Sequence, residues 1–479
     1  MFDLIITNIK NYTETCVLVP ILIIGGLYFT FRTKFAQFRL FPEQLRSVME
    51  KSSEKGGVSS FQALMVSTAS RVGTGNIVGV STALCMGGFG SVFWMWIIAI
   101  LGSASAFIES TLAQIYKKRG TAGPYGGPAH YIEATTKSRF LAIIFSVLLI
   151  LTYGIGFNML ASFNLQDTFS SYGFYNQSLS LNIFGNTLSF NPVPAVIGGV
   201  VAVLVCICLF GGGKRLINTT TLIVPFMGMA YILVALIITV MNIKNLPSVF
   251  AQIFSDAFDF QAIFGGIAGS CLMYGIKRGL FSNEAGVGSA PNASASAEVS
   301  HPVKQGLVQI LSVFIDTLLI CSATAFMCMC SGVTPSEEIS GAKYVQLSLE
   351  ESLGVAGPVF ITASMVLFGF TTLIGNLFYV DKAYRYILGK EPSKIFKAVS
   401  NIILSLVILV GATLNSDVLW NISDIFMGAL TIINMPIIII FGKYSFRALD
   451  DYTKQRKQGK DPVFRAKDIS LPHKTDYWN

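Results

Sequence analysis

Ser70-Arg71-Val72-Gly73-Thr74-Gly75-Asn76-Ile77 lies at the middle of an apolar segment that runs from about Phe61 to Leu84. Two glycines two apart, with Thr between them and Asn after, are poor material for the middle of a helix, where each Gly costs roughly 1 kcal/mol against Ala. In a membrane, backbone N–H and C=O groups released by such a break are tolerated only against protein or a water-filled cavity. A spanning helix interrupted at its midpoint is therefore a sequence mark of a transporter binding site. Two other readings compete. Gly75 and Gly79 are four apart and fit a small-residue packing face between helices, which explains the glycines but not the polar Ser70, Arg71, Thr74 and Asn76. A dinucleotide fingerprint is excluded by the G-x-G-x-x-x-G spacing and by the lack of a preceding strand.

The rest of the chain fits a membrane setting. Of 479 residues 52% are hydrophobic and 13% charged, against about 25% charged in soluble domains, and several apolar runs reach the roughly 20 residues that cross a bilayer. The net charge of +8 is not read as nucleic-acid binding, because in a membrane protein the placement of positive charge is what matters. The eight cysteines lie in or beside apolar segments, where a free Cys acts as a small hydrophobe. Cys206/Cys208 and Cys328/Cys330 have only His130, His301 and His473 in the whole chain to help them, so neither a metal-cysteine site nor a disulfide framework is expected. Met1-Phe2-Asp3-Leu4 lacks a basic n-region, and no cleaved signal peptide is expected. No G-x-x-x-x-G-K-[ST] loop, His-based site or paired-carboxylate motif is present, which argues against ATP-driven transport and against an enzyme.

Apolar runs closed by charge, Gly or Pro place eleven spans at about 16–31, 61–86, 90–116, 139–169, 193–210, 217–241, 261–282, 303–331, 355–386, 396–414 and 419–442. Thirty of the 34 Lys and Arg residues then fall in the stretches 32–59, 117–139, 211–216, 277–304, 382–397 and the tail from Lys443, while the other side holds Lys10, Lys244 and Lys343, and Arg71 lies within a span. That alternation puts the N-terminus outside and the C-terminus in the cytoplasm. The tail reads as a cytoplasmic helix followed by disorder, Glu337–Gly354 as a short amphipathic outer helix. The seventh span carries Gly265, Gly266, Gly269, Gly275 and Gly279 and is the second one expected to be interrupted. Interrupted spans five apart leave one helix in front of a five-plus-five arrangement. The expected fold is an all-α polytopic membrane protein: an N-terminal helix and cytoplasmic linker (1–59), a first inverted repeat (60–250), a second (251–442), each opened by a broken helix, and a cytoplasmic tail (443–479).

An interrupted helix offers bare N–H groups and a positive dipole end, which favour a carboxylate, and bare carbonyls, which suit an ammonium group or Na⁺. A hard cation takes oxygen ligands. Thr371 and Thr372 of the ninth span place hydroxyls within a turn of the Phe368 carbonyl, although helical Thr hydroxyls also bond their own i−4 carbonyls. Arg71 needs a partner or water in a membrane. Glu109, Glu284 and Asp316 are the acids in or near spans, and a structural ion pair and a gating role both remain open.

At these residues the chain resembles the alanine/glycine:cation symporter family of bacterial and archaeal carriers. The resemblance runs through Phe61-Gln-Ala-Leu-Met, Val72-Gly-Thr-Gly-Asn-Ile-Val-Gly-Val, Phe93-Trp-Met-Trp, Gly126-Gly-Pro-Ala-His-Tyr-Ile-Glu, His301-Pro-Val-Lys-Gln and Phe314-Ile-Asp-Thr. Its most specific block is Lys277-Arg-Gly-Leu-Phe-Ser-Asn-Glu-Ala-Gly-Val-Gly-Ser-Ala-Pro-Asn. The resemblance implies a leucine-transporter-like fold in a prokaryotic plasma membrane and Na⁺-coupled symport of a neutral amino acid, with H⁺ coupling or an uncoupled channel or receptor as alternatives. It implies a sodium site from the Ala69 and Val72 carbonyls with Phe368, Thr371 and Thr372. Thr74 and Gly75 N–H groups would take the substrate carboxylate, Gly269 and Ser270 would line its amine side, and Asn76 would serve ion or substrate. Two positions depart from the family pattern: Ala161 stands where a pocket Gln is usual and Asn376 where a pocket Trp is usual. Both changes alter the pocket's size and polarity and favour a larger or more polar neutral substrate such as serine or glutamine, with Asn376 touching its side chain.

Overall fold

The computed structural model describes residues 13–52, 57–120, 123–183, 186–259, 270–472 and 475–478. In chain order the helices that carry the argument are α1 (Glu14–Arg32), α2 (Ser60–Arg71), α3 (Gly75–Gly87), α4 (Gly90–Ile115), α5 (Pro128–Thr136) and α6 (Arg139–Asp167). They continue as α7 (Val193–Phe210), α8 (Gly212–Met241), α9 (Leu246–Ala257), α10 (Cys271–Asn283) and α11 (Pro302–Cys330). The last five are α12 (Ala342–Leu353), α13 (Ala356–Leu388), α14 (Lys394–Ala412), α15 (Ser416–Phe441) and α16 (Lys443–Lys457). Among the described residues nine helices are long and apolar enough to cross a membrane: α1, α4, α6, α7, α8, α11, α13, α14 and α15. The expected count of eleven is reached only when α2–α3 and the segment from α10 to α11 are added as interrupted crossings. The loop after α6 holds the described strands, Leu179–Ile183 paired antiparallel with Asn186–Phe190, a small exception to the all-helical expectation.

Position in the bundle follows composition. α4 is rich in Gly, Ala and Ser through Gly102–Ala106 and is buried along its whole second half, so its neighbours approach closely. α8 presents Leu222, Phe226, Met229, Leu233 and Val240 on its exposed face, which is a lipid-facing stripe and not a core defect, because no aqueous surface would carry it.

α2 starts with a capping box: Ser59 Oγ accepts from Gln62 N and Gln62 Oε1 accepts from Ser59 N, satisfying two otherwise bare donors. It ends at Arg71. Val72 leaves helical geometry at φ −76°, ψ 91°, and the chain becomes helical again only at Gly75, through a wide turn over Gly75–Gly79. The expected break therefore falls at Val72–Thr74.

Of the glycines expected to open the second interruption, three, Gly265, Gly266 and Gly269, lie outside the described residues. Gly275 and Gly279 sit inside an unbroken α10, where a Cβ on Gly275 would come within 2.7 Å of Trp94 Cβ and one on Gly279 within 3.3 Å of Met95 Cα. They are the close-packing face against α4. α10 ends at Glu284, which takes a left-handed conformation at φ 51°. From there to His301 the chain makes turns and one four-residue helix, Pro291–Ser294, and stays buried through Val299. Lys277 and Arg278 accordingly belong to a packed helix and not to a loop: Lys277 pairs with Glu14 at 2.5 Å and Arg278 with Asp424 at 3.5 Å.

The tail is also more ordered than its polar composition implied. After α16, Phe464 N donates to Ser300 O at 2.9 Å, Ser300 Oγ donates to Pro462 O at 2.8 Å, and Trp478 Nε1 donates to Gln114 O at 2.7 Å. Lys117 Nζ lies 3.9 Å from the Tyr477 ring centroid and 4.7 Å from that of Trp478, and Arg456 pairs with Glu43 at 2.8 Å. His301 Nε2 sits 3.2 Å from Asp451 Oδ2 of α16. Burial holds the His301 imidazole below its ordinary value even though Asp451 pulls it upward, so the docked tail favours the neutral ring. Lowering pH through about 6.5 loads a proton first on the released form. Tail release, followed by amide exchange at Asp450–Tyr452, is expected to rise as pH falls from 7 to 5.5, and His301→Gln is expected to flatten that dependence.

Candidate substrate and ion site at the broken second span

The break leaves main-chain groups of both signs exposed within a buried setting. The Gly73 N–H is taken by Asn76 Oδ1 at 2.8 Å. Among the described residues nothing accepts from the N–H groups of Thr74 and Gly75, and nothing donates to the carbonyls of Ala69 and Val72. The donors begin α3 and the acceptors end α2, so the dipoles of the two half-helices reinforce an anion at one and a cation at the other.

α13 forms the wall beside the break. A Cβ on Gly375 would lie 2.8 Å from Ser70 N and one on Gly369 3.3 Å from Thr74 Cγ2, while one on Gly73 would fall on Thr372 Oγ1. Thr372 Oγ1 is buried and has no hydrogen-bond partner among the described residues. It thus faces the break as a spare oxygen, in the same place as the bare carbonyls. Thr371 behaves differently: its hydroxyl donates to Leu367 O and Phe368 O, each at 3.0 Å, so the local back-bonding alternative describes Thr371, and Thr371 also occupies the Phe368 carbonyl.

Asn76 is a hub. Its Nδ2 donates to Asp316 Oδ1 at 2.7 Å and to Ser282 Oγ at 3.0 Å, and its own carbonyl accepts from Thr324 Oγ1 at 2.9 Å. Asp316 Oδ2 accepts from Ser282 Oγ and Thr317 Oγ1, both at 2.7 Å. Three donors on a fully buried carboxylate stabilise it without a cation in contact, and they tie α3, the end of α10 and α11 together. Arg71 does not complete an ion pair with Glu109, Glu284 or Asp316. Its Nη1 donates to Gln309 Oε1 at 2.9 Å, and its Nε and Nη2 are without hydrogen-bond partners. Gln309 Nε2 in turn donates to Ser67 Oγ at 3.0 Å and Gln305 Nε2 to Ser60 Oγ at 2.9 Å, so α2 is laced to α11 over its whole length.

On the other side of the break sits an aromatic lid. A Cβ on Gly75 would lie 2.9 Å from Phe281 Cε1, and Phe281 is wedged between Phe157 and Trp420, with centroids 4.7 and 4.8 Å away. Arg278 lies over Trp420 at 4.0 Å.

Of the residues expected at the site, Ala69, Val72, Thr74, Gly75, Asn76, Phe368, Thr371, Thr372 and Asn376 gather around the break. Ala161 is one turn along α6 from Phe157 and is buried. Ser270 caps α10 by accepting from Met273 N. It lies near Asp256, to whose carbonyl the adjoining Cys271 thiol donates, about 18 Å of helix rise from Ser282 at the break. Gly269 is outside the described residues. Asn376 is already engaged at both ends of its amide: Oδ1 accepts from Ser70 Oγ at 2.6 Å and Nδ2 donates to Asn158 Oδ1 at 3.0 Å. Phe281, Ser282 and Trp420 were not singled out from the sequence. Ser282 had a signal, since it lies in the most specific block of the resemblance, whereas nothing local distinguishes Trp420 from a packing residue.

A buried break between two half-helices, with bare donors at one end and bare acceptors at the other, within a bundle of apolar helices, is the architecture of a membrane carrier. The chain belongs to the sodium:alanine symporter family, whose sequence profile matches residues 1–466. It is 41% identical over 460 residues to the amino-acid carrier protein AlsT of Bacillus subtilis (strain 168), covering 96% of this chain and 94% of that one. It is 42% identical over 459 residues to the probable sodium/glutamine symporter GlnT of the same organism, covering 95% and 91%. A crystal structure of MhsT in complex with L-phenylalanine matches the fold with a TM-score of 0.55 at 13% identity, over 87% of this chain and 92% of that one.

Proposed function

We propose that the protein carries a small neutral amino acid across the membrane together with Na⁺, by alternating access around the break at Val72–Thr74. The observation that carries this reading is the pairing of bare Thr74 and Gly75 N–H groups with bare Ala69 and Val72 carbonyls beside the unpartnered Thr372 hydroxyl. The donors receive the substrate carboxylate, and the three oxygens hold the cation, with Phe368 and Thr371 shaping the wall behind it. Asn76 keeps the turn open by occupying the Gly73 N–H. Phe281 and Ser282 supply the second segment's share of the pocket, the role sought for Gly269 and Ser270. Ala161 presents only a methyl group on α6, which suits serine or glutamine, and the relative GlnT, a probable sodium/glutamine symporter, favours glutamine.

The two interrupted segments count as crossings in this reading, which gives eleven, with an N-terminal helix ahead of repeats 60–250 and 251–442. The basic residues of 32–59, 117–139, 382–397 and the tail lie on the face of α16, so that face is cytoplasmic and the N-terminus is outside. A proton-coupled variant is favoured by one feature, the Asp316 carboxylate that links both interruptions.

Uptake into proteoliposomes under an imposed Na⁺ gradient tests the proposal. Accumulation of labelled glutamine, serine or alanine above the outside concentration is expected, and counterflow against all twenty amino acids ranks substrates. Equilibration without accumulation would show a channel, and accumulation driven by a pH gradient alone would show the proton-coupled variant.

A further inference from the structure

α6 and α13 run antiparallel beside the break, and their register is fixed at two points. Asn158 is hydrogen-bonded to Asn376 at 3.0 Å. Seven residues further along α6, and seven back along α13, Leu165 Cδ1 lies 2.8 Å from where a Cβ on Gly369 would be. The intermediate pair is Ser162 with Thr372, at the level of Gly73. Asn158, Ser162 and Leu165 therefore share one face of α6, spaced i, i+4, i+7.

Along that face lie two polar groups with nothing to bond. Asn158 is fully buried and Ser162 1% exposed, and among the described residues Asn158 Nδ2 and Ser162 Oγ both lack a hydrogen-bond partner. Buried polar groups in folded proteins are nearly always paired, and one left unpaired carries its full desolvation penalty. The neighbours do not need these groups: Asn376 uses only the Asn158 oxygen, and Asn164 bonds Thr74 Oγ1 at 3.3 Å through its own amide. Ala161, next to Ser162, presents only a methyl group.

We infer that Asn158 Nδ2 and Ser162 Oγ form a subsite for the substrate's side chain, one that takes a hydroxyl or carboxamide oxygen. The inference rests on the amino-acid carrier reading and assigns selectivity within it to α6. The role expected of Asn376 passes to Asn158: Asn376 sets the Asn158 rotamer by holding its oxygen, which turns the free N–H₂ away from α13.

The test compares serine with 2-aminobutyrate, in which a methyl replaces the hydroxyl, by equilibrium binding to the purified full-length chain in detergent at fixed Na⁺. Wild type is expected to prefer serine at least tenfold, because a site built to bond a hydroxyl rejects the analogue lacking it. Asn158→Leu is expected to bring the ratio near one by weakening serine alone, and Ser162→Ala to lower it about threefold. The half-saturating Na⁺ concentration is expected to stay unchanged in both. A wild-type ratio near one, an unchanged ratio in both variants, or equal loss of both ligands together with a raised Na⁺ requirement would overturn the subsite. Intact serine preference without Na⁺-driven uptake in proteoliposomes would instead sink the symport reading alone.

Discussion

Gly73→Ala is expected to reduce Na⁺-driven uptake on the order of 100-fold, about 2.8 kcal/mol at 1.4 kcal/mol per decade. The added methyl falls on Thr372 Oγ1, and the close approach of Gly375 to the Ser70 backbone leaves α13 little room to retreat. Overpacking of this kind costs typically 1–3 kcal/mol, and here the displaced atom is the oxygen assigned to the cation. The Gly73→Ala/Thr372→Ala double variant separates the two effects. It is expected to regain thermal stability in detergent, because the worst contact is gone, but not uptake, because the hydroxyl is gone too. Full recovery of uptake in the double variant would show that Thr372 does not bind the ion.

Asn76→Leu is expected to lower stability by about 3 kcal/mol, in the upper range for hydrogen bonds to charged groups. The substitution removes a donor from the Asp316 carboxylate, a donor from Ser282 and the acceptor for the Gly73 N–H in one step. An uncompensated buried charge is the expensive part. Asn76→Leu/Asp316→Leu is therefore expected to unfold at a higher temperature than Asn76→Leu alone, although neither variant should transport. Thermal unfolding of the purified chain measures both. A single variant that melts with the wild type would mean that the hub contributes nothing to the fold.

Much of this arrangement was legible in the sequence for a physical reason: apolar runs bounded by charge have few ways to sit in a bilayer. The break at Val72–Thr74 was legible because Gly73 and Gly75 occur with polar neighbours that a packing face does not need. In the seventh segment Gly265, Gly266 and Gly269 lie outside the described residues, Gly275 and Gly279 are small so that α4 can approach, and the helix ends at Glu284, in a polar, glycine-containing run that Lys277 and Arg278 made look like a cytoplasmic loop. Those two charges are buried in pairs with Glu14 and Asp424, partners far away in sequence. The tail was misjudged because α16 and the residues after it are polar almost throughout, and the docking rests on a few terminal aromatics, Tyr477 and Trp478. Asn376 lies beside the break, but that its amide is spoken for by Ser70 and Asn158 depends on rotamers that no spacing encodes.

The irregular stretch from Glu284 to His301 has a mechanical consequence. Apart from the short helix Pro291–Ser294, its peptide groups are not paired within a helix, and hydrocarbon offers them no substitute. Whatever rearrangement carries cargo from one side to the other, these residues cannot swing out to meet acyl chains. They travel with their protein surroundings or stay still while the neighbours tilt.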